Sequence, residues 1–332
     1  MTMQRRGALV AGALALGAFG ALADDSPQFR GPDRSGLSRE VGLKKSWPEG
    51  GPKLLWTVKN LGSGHATPSV ARGKIFGMGL RGEDEVLWAL DEETGKELWA
   101  TKIAGQTSLN AMQGGNGSRA TPTSDGRRLY AMGVGGDLVC VSIADGKILW
   151  KKSLISDFGG TVPTWGYSES PLLDGSKVVV TPGGSDAPLV ALNKLTGETV
   201  FKAKLPGGGK VGYASAVCAE LDGKKQYVQF FAEGVAGIAA EDGKFLWGYA
   251  SPANRQGISC SMPIVKDGHV FAATAYNTGG GLAKITGDKA EEVYFSREMQ
   301  NHHGGMVLVG DYLYGTGVNQ LLCLEWKTGK LM

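Results

Sequence analysis

Six glycines recur along the chain in the same kind of turn: Gly95, Gly146, Gly197, Gly243, Gly287 and Gly329, spaced 51, 51, 46, 44 and 42 residues apart. Ahead of each lies a short alternating apolar run. Behind it lies a second run, as in "LWALDEETGKELWATKI" from Leu87, "LVCVSIADGKILWKKSL" from Leu138 and "LVALNKLTGETVFKAKL" from Leu189. The pattern returns in "VAGIAAEDGKFLWGYAS" from Val235 and "LLCLEWKTGKLM" from Leu321, and more loosely in "GLAKITGDKAEEVYFSRE" from Gly281. Alternation over a few residues on both sides of a Gly turn predicts a β-hairpin, because Gly accepts the positive φ that a short bulged loop needs. Glycine makes up 53 of 332 residues and has no three-residue period, so it reads as tight turns rather than collagen.

A second hairpin precedes each turn, for example "ATPSVARGKIFGMG" at Ala66, "ATPTSDGRRLYAMG" at Ala120 and "SMPIVKDGHVFAATA" at Ser261. Each unit therefore reads as four short antiparallel strands, and a repeat of this length suits one propeller blade. An aromatic stands four residues past the glycine in four units: Trp99, Trp150, Phe201 and Trp247. Large side chains at a fixed offset are expected to pack between neighbouring blades. Trp56, in "PKLLWTVK", has no strands of its own before it and reads as a stray outermost strand. The same offset from Gly329 falls at position 333, so the sequence is expected to be a C-terminally incomplete piece of a propeller. The fold expected is all-β: about six four-stranded blades plus the stray strand, from an intact protein of seven or eight blades.

Residues 1–23 read as a secretory signal peptide. Arg5 and Arg6 open it, a short apolar run follows from Ala8 to Phe19, and Ala21-Leu22-Ala23 forms a small-x-small cleavage site. The general secretory route and the twin-arginine route both suit this leader. Residues 24–53 form an N-terminal extended segment and 54–332 the propeller. Without the leader, 33 basic residues face 32 acidic ones, a net charge of +1. That balance argues against a nucleic-acid partner, and no run in the mature chain is apolar enough to span a membrane as a helix. A monomer is expected.

The repeat, with its small residue, its Thr-Gly-Lys turn and its Trp, resembles the tryptophan-docking repeat of the pyrroloquinoline-quinone (PQQ) propellers. The resemblance runs from about residue 54 to the end. "PQFRGPDRSG" from Pro27, "WGYSESPLLDG" from Trp165 and "NHHGGMVLVGDYLYG" from Asn301 resemble a group of secreted PQQ-like propeller proteins of planctomycete-type bacteria. Two functions follow from the resemblance. One is a non-catalytic binding or assembly scaffold like the BamB-type factor of outer-membrane assembly. The other is a PQQ-dependent alcohol or sugar dehydrogenase, which would need an aspartate base, a calcium site and commonly a vicinal disulfide. A carbohydrate- or peptide-binding module is a third possibility.

The four cysteines, Cys140, Cys218, Cys260 and Cys323, offer no vicinal pair, no haem-attachment motif and no zinc-finger spacing. Cys140 and Cys323 fill the slot taken by Ala89, Ala191 and Gly237 in other units, where a thiol acts as a small apolar group. A bond between Cys218 and Cys260 is left open.

Candidate ligand-binding residues lie ahead of the first strands, where propeller blades converge on a central funnel. They are His65, Asn116, Arg119, Trp165, Tyr167, Glu169, Arg255, His302 and His303. His65 and Arg119 both stand three residues before a first-strand proline, Pro68 and Pro122. Strand alternation would send only one of His302 and His303 into the funnel. Glu169 is the one acid nominated as a calcium ligand; the alternative is that it neutralises an arginine while Trp165 and Tyr167 plug the channel. No catalytic residue, no metal site and no cofactor are expected on balance, with PQQ and calcium kept as the alternative. The expected partner is an envelope protein or a small polar ligand, in the periplasm or outside the cell.

Overall fold

In a computed structural model, residues 25–107, 109 and 117–332 are described; the leader and Asn116 lie outside them. Five four-stranded antiparallel sheets and one three-stranded sheet follow one another along the chain. The first contains β1 (Ser69–Ala71), β2 (Lys74–Arg81), β3 (Asp84–Asp91) and β4 (Glu97–Gly105). The second contains β5 (Thr123–Ser124), β6 (Arg128–Met132), β7 (Asp137–Ser142) and β8 (Ile148–Ser153). The third contains β9 (Leu172–Asp174), β10 (Lys177–Val180), β11 (Val190–Asn193) and β12 (Thr199–Lys202). The fourth contains β13 (Val217–Leu221), β14 (Lys224–Phe231), β15 (Gly234–Ala239) and β16 (Phe245–Tyr249). The fifth contains β17 (Ile264–Lys266), β18 (His269–Thr274), β19 (Gly279–Thr286) and β20 (Lys289–Ser296). The last is β21 (Val307–Val309), β22 (Tyr312–Thr316) and β23 (Leu321–Glu325). No helix among the described residues is long and apolar enough to cross a membrane.

The core is divided among the seams between consecutive sheets. Phe76 and Leu87 of the first sheet pack on Leu129 and Val139 of the second. Tyr130 and Leu138 of the second pack on Val178 and Val190 of the third. The third meets the fourth through Val179, Ala191, Tyr227 and Ile238. The fourth meets the fifth through Val228, Trp247, Val270 and Ala283, and the fifth meets the last through Phe271, Leu282, Leu313 and Leu324. Each of the four inner sheets thus buries both faces against its neighbours, as propeller blades do. The short first strands approach one another, β1 beside β5 and β9 beside β13.

Repetition of the seam rests on one contact. The ring of Trp99 lies over Gly146 of the next blade, and a Cβ on that glycine would come 2.5 Å from it. Trp150 covers Gly197, where a Cβ would approach to 2.9 Å, and Phe201 covers Gly243. Gly146 and Gly197 have φ of 71° and 73°, so the positive-φ turn and the aromatic overlap make the same demand for glycine. The indole N–H donates to the carbonyl three residues before the glycine: Trp99 to Ile143 at 3.0 Å and Trp150 to Lys194 at 3.0 Å. A register shift recurs within each hairpin, at Ala89/Leu90, Cys140/Val141, Ala191/Leu192 and Gly237/Ile238. The small residue there pairs directly with the aromatic, as Ala89 does with Trp99 and Cys140 with Trp150. A small residue beside the aromatic leaves room for the ring in the seam.

One expectation needs correction, and another is met through a different contact: Trp247 packs in the seam of blades four and five as expected, but not over a turn glycine. Residues 54–62 form no strand ladder among the described residues; the segment is held by a bridge between Ser63 and Leu80. Trp56 still covers Gly95 and donates to the Glu92 carbonyl at 3.2 Å, because docking needs only one side chain and one turn. Trp247, completely buried, does not cover the next turn glycine. Its ring lies on Gly237 of its own blade and its N–H donates to Gln226 Oε1 at 2.7 Å. The fifth blade turns more tightly, pairing Thr286 with Lys289 around Gly287, and the docking role there passes to Tyr294, which covers Gly329.

Gly146→Ala tests the docking contact. Gly82 has a similar φ of 63° with nothing near its Cβ direction, so Gly82→Ala reports the backbone cost alone. Urea denaturation is expected to show Gly146→Ala less stable than Gly82→Ala by about 1–3 kcal/mol, the usual cost of overpacking.

Candidate functional site

Residues 25–36 run past the first strands of the blades and the residues just before them, bonding to several in turn. Ser26 bridges Val70 of the first blade, and Ser124 of the second donates to the Pro27 carbonyl at 2.7 Å. Arg34 is 6% exposed and has φ 54°. Left-handed backbone is costly for arginine, and hydrogen bonds hold it there. Its guanidinium donates to Gln28 Oε1 at 2.9 Å, to the Ala216 carbonyl at 3.0 Å, to the Ser170 carbonyl at 3.1 Å and to the Pro171 carbonyl. Arg30 donates to the Met306 carbonyl of the last blade. One short loop therefore ties together blades one, two, three, four and six.

Above this loop is a cavity of about 360 Å³ lined by His65, Arg119, Trp165, His302 and His303, with Phe29 of the N-terminal loop also in its wall. The lining also includes Ser168, Tyr213 and Cys260. Six of these occupy one position in the repeat: His65, Arg119, Ser168, Tyr213, Cys260 and His303 each stand three residues before Pro68, Pro122, Pro171, Ala216, Pro263 and Met306 respectively. Sequence reasoning noticed this offset for His65 and Arg119 alone. Extended through the repeat it finds Ser168, Tyr213 and Cys260 as well, although proline is replaced in two copies.

The remaining candidates divide. Trp165 lines the cavity and meets Tyr213 edge-on at 5.9 Å between ring centroids. Tyr167 is fully buried away from it, in the seam of blades two and three, and its hydroxyl donates to the Pro182 carbonyl at 2.8 Å. Gly166, at φ 74°, makes the turn that separates the two rings, so Tyr167 does not plug the channel. Arg255 is exposed on a loop and takes no part in the lining. His302 and His303 both reach the cavity, against the expectation from alternation, because they precede β21 in irregular backbone where strand periodicity does not apply. Their rings lie 3.6 Å apart at 33°. Cys218 and Cys260 are unbonded thiols.

Glu169 is 2% exposed and forms part of the support beneath the lining rather than the lining itself. Its carboxyl accepts from the Thr181 N–H at 2.7 Å and from Gln229 Nε2 at 3.2 Å. Burial pushes its pKa up to about 7, against the opposing pull of those bonds and of the Arg34 charge. The positive charge acting on it comes from Arg34 of the N-terminal loop and only partly offsets burial, so no arginine pairs with it directly among the described residues. Burial also raises the Cys260 thiol to about 12. It lowers both histidines, with His303 adding to the effect on His302 and with Arg119 and His65 adding to that on His303. Neutral imidazoles beside a thiol are donors suited to borderline metals.

The family model described as outer membrane protein assembly factor BamB matches residues 49–116 and 83–332. No curated protein matches by sequence. Among solved structures, BamB from Moraxella catarrhalis superposes at TM-score 0.55 with 17% identity, covering 78% of this chain and 69% of that one. The computationally designed protein Ika8 superposes at 0.55 with 12% identity, covering 82% and 73%. Quinohemoprotein alcohol dehydrogenase from Comamonas testosteroni gives 0.45 with 12% identity over 92% of this chain and 72% of that one, too weak a likeness to bear on function.

The buried carboxyl predicts a pH dependence with a definite sign. Between the ordinary glutamate pKa and about 7 the folded protein holds a proton that the unfolded chain releases. Stability therefore falls as pH rises through that window and levels off above it. Relative to Glu169→Gln, the wild-type unfolding free energy is expected to drop by on the order of 3 kcal/mol between pH 4.5 and 7.5, measured by denaturant titration.

Proposed function

The chain belongs to the PQQ-repeat propeller family described as outer membrane protein assembly factor BamB, and from that premise we propose that it is a non-catalytic binding scaffold of the bacterial envelope. The leader-like residues 1–23 support export to the periplasm or beyond. A partner protein would bind through the loops around the cavity mouth, among them the exposed loop of Arg255. The observation that favours a scaffold over a dehydrogenase is the chemistry of the cavity wall: its described lining contains no carboxylate. Calcium takes hard oxygen ligands, largely carboxylates, and a quinone-dependent alcohol oxidation needs a carboxylate base beside the cofactor. Glu169, the one acid nominated for either task, is instead enclosed by Thr181, Gln229 and the Arg34 charge. The residues present do not fit a quinone–calcium pair.

Two measurements separate the readings. Calorimetric titration with PQQ and calcium is expected to give no saturable binding, and dye-linked oxidation of alcohols and sugars no turnover. A photo-crosslinker replacing Arg255 is expected to capture a discrete envelope protein in living cells, while one at Lys284, on the exposed part of β19, captures none. Submicromolar PQQ binding with turnover would overturn the scaffold reading.

A further inference from the structure

Cys260, His302 and His303 stand together in the cavity wall, and their Sγ and ring-nitrogen atoms all lie within 4.8 Å of one another. We propose that these three side chains form a binding site for a borderline divalent transition metal of the zinc class, with a fourth coordination position left for an exogenous ligand from the cavity.

The donor set selects the ion. A thiolate and two imidazoles suit zinc, cobalt or copper, and they disfavour calcium and magnesium, which take oxygen. A tetrahedron with bonds of 2.0–2.3 Å needs donor atoms about 3.3–3.6 Å apart. The observed limit of 4.8 Å requires a closure of about 1 Å, within reach of side-chain rotation about unchanged backbone. His303, the most exposed of the three, has the most room to turn.

The backbone under the site is tied in place. Asn301, 1% exposed, donates from Nδ2 to Ser261 Oγ at 2.5 Å, and Ser261 Oγ donates in turn to the His302 carbonyl at 3.2 Å. The same Asn301 accepts at Oδ1 from the Thr316 N–H at 3.1 Å and hydroxyl at 2.9 Å. The residue after Cys260 and the residue before His302 are therefore linked across the seam of blades five and six. Tyr276 meets the His302 ring edge-on at 5.0 Å and limits its rotation. Support of this kind lowers the reorganisation cost of closing donors on an ion.

Cobalt(II) titration of the tag-free, reduced full chain tests the site. The expected result is saturation at one equivalent with a thiolate-to-cobalt charge-transfer band in the near ultraviolet, bleached by zinc. Cys260→Ser should abolish that band, and His302→Ala and His303→Ala should each weaken binding at least about tenfold. Cys140→Ala, at a thiol buried in another seam, should change neither. Circular dichroism of the metal-free variants establishes that each is folded, and His302→Gln or His303→Gln offers a milder disturbance if an alanine variant is not. A band that survives in Cys260→Ser, or the absence of saturable cobalt binding by the folded wild type, would overturn the proposal.

Discussion

An aromatic ring laid over a turn glycine of the next sheet is the contact on which the architecture depends. It combines three demands in one place. The turn needs positive φ, the ring needs a surface without a Cβ, and the indole N–H needs an acceptor once its surroundings are dry. The carbonyl three residues ahead of the glycine answers the last demand at Trp56, Trp99 and Trp150 alike. A buried polar group without a partner would cost more than a typical hydrogen bond returns, so this acceptor is as necessary as the glycine. Because the contact joins consecutive blades, its repetition assembles the sheets one seam at a time, and each seam has its own apolar cluster.

Where the spacing changes, the contact changes with it. The turn at Gly287 is tighter, and Tyr294 stands seven residues past the glycine instead of four. Trp247, facing that blade, has no matching turn beneath it and satisfies its N–H on Gln226. In its place Tyr249, two residues on, donates to Glu292 across the seam at 2.8 Å. The periodic offset made Trp99, Trp150 and Phe201 legible in the sequence. The same offset places Trp247 in the seam of blades four and five, but its ring meets no turn glycine there, because the next turn has a different geometry.

The strands and their pairing were readable because hairpins are local: alternation and turn residues lie within a few positions of each other. The N-terminal loop was not readable in that way. Nothing near Arg34 in sequence shows that its guanidinium will donate to Ser170, Pro171 and Ala216, more than 130 residues away. "PQFRGPDRSG" drew notice only as a resemblance, and its physical role becomes plain once blades three and four present their carbonyls to one point. His302 and His303 reach the cavity together for a related reason: they lie outside a strand, where alternation has no hold.

The same repeat that makes the outer ring uniform makes the inner ring diverse. In the first four blades the side chain four residues past the turn glycine is large and aromatic, and the seam allows little else. Three residues before the first-strand proline position the side chains are His, Arg, Ser, Tyr, Cys and His, although the backbone brings all six to one cavity. No packing requirement common to the blades selects such a set, since each faces open volume rather than a neighbouring sheet. In the cavity, equivalent positions are thus free to differ. That freedom is what lets a thiol and two imidazoles meet at a single seam without disturbing the contact that holds the seam closed.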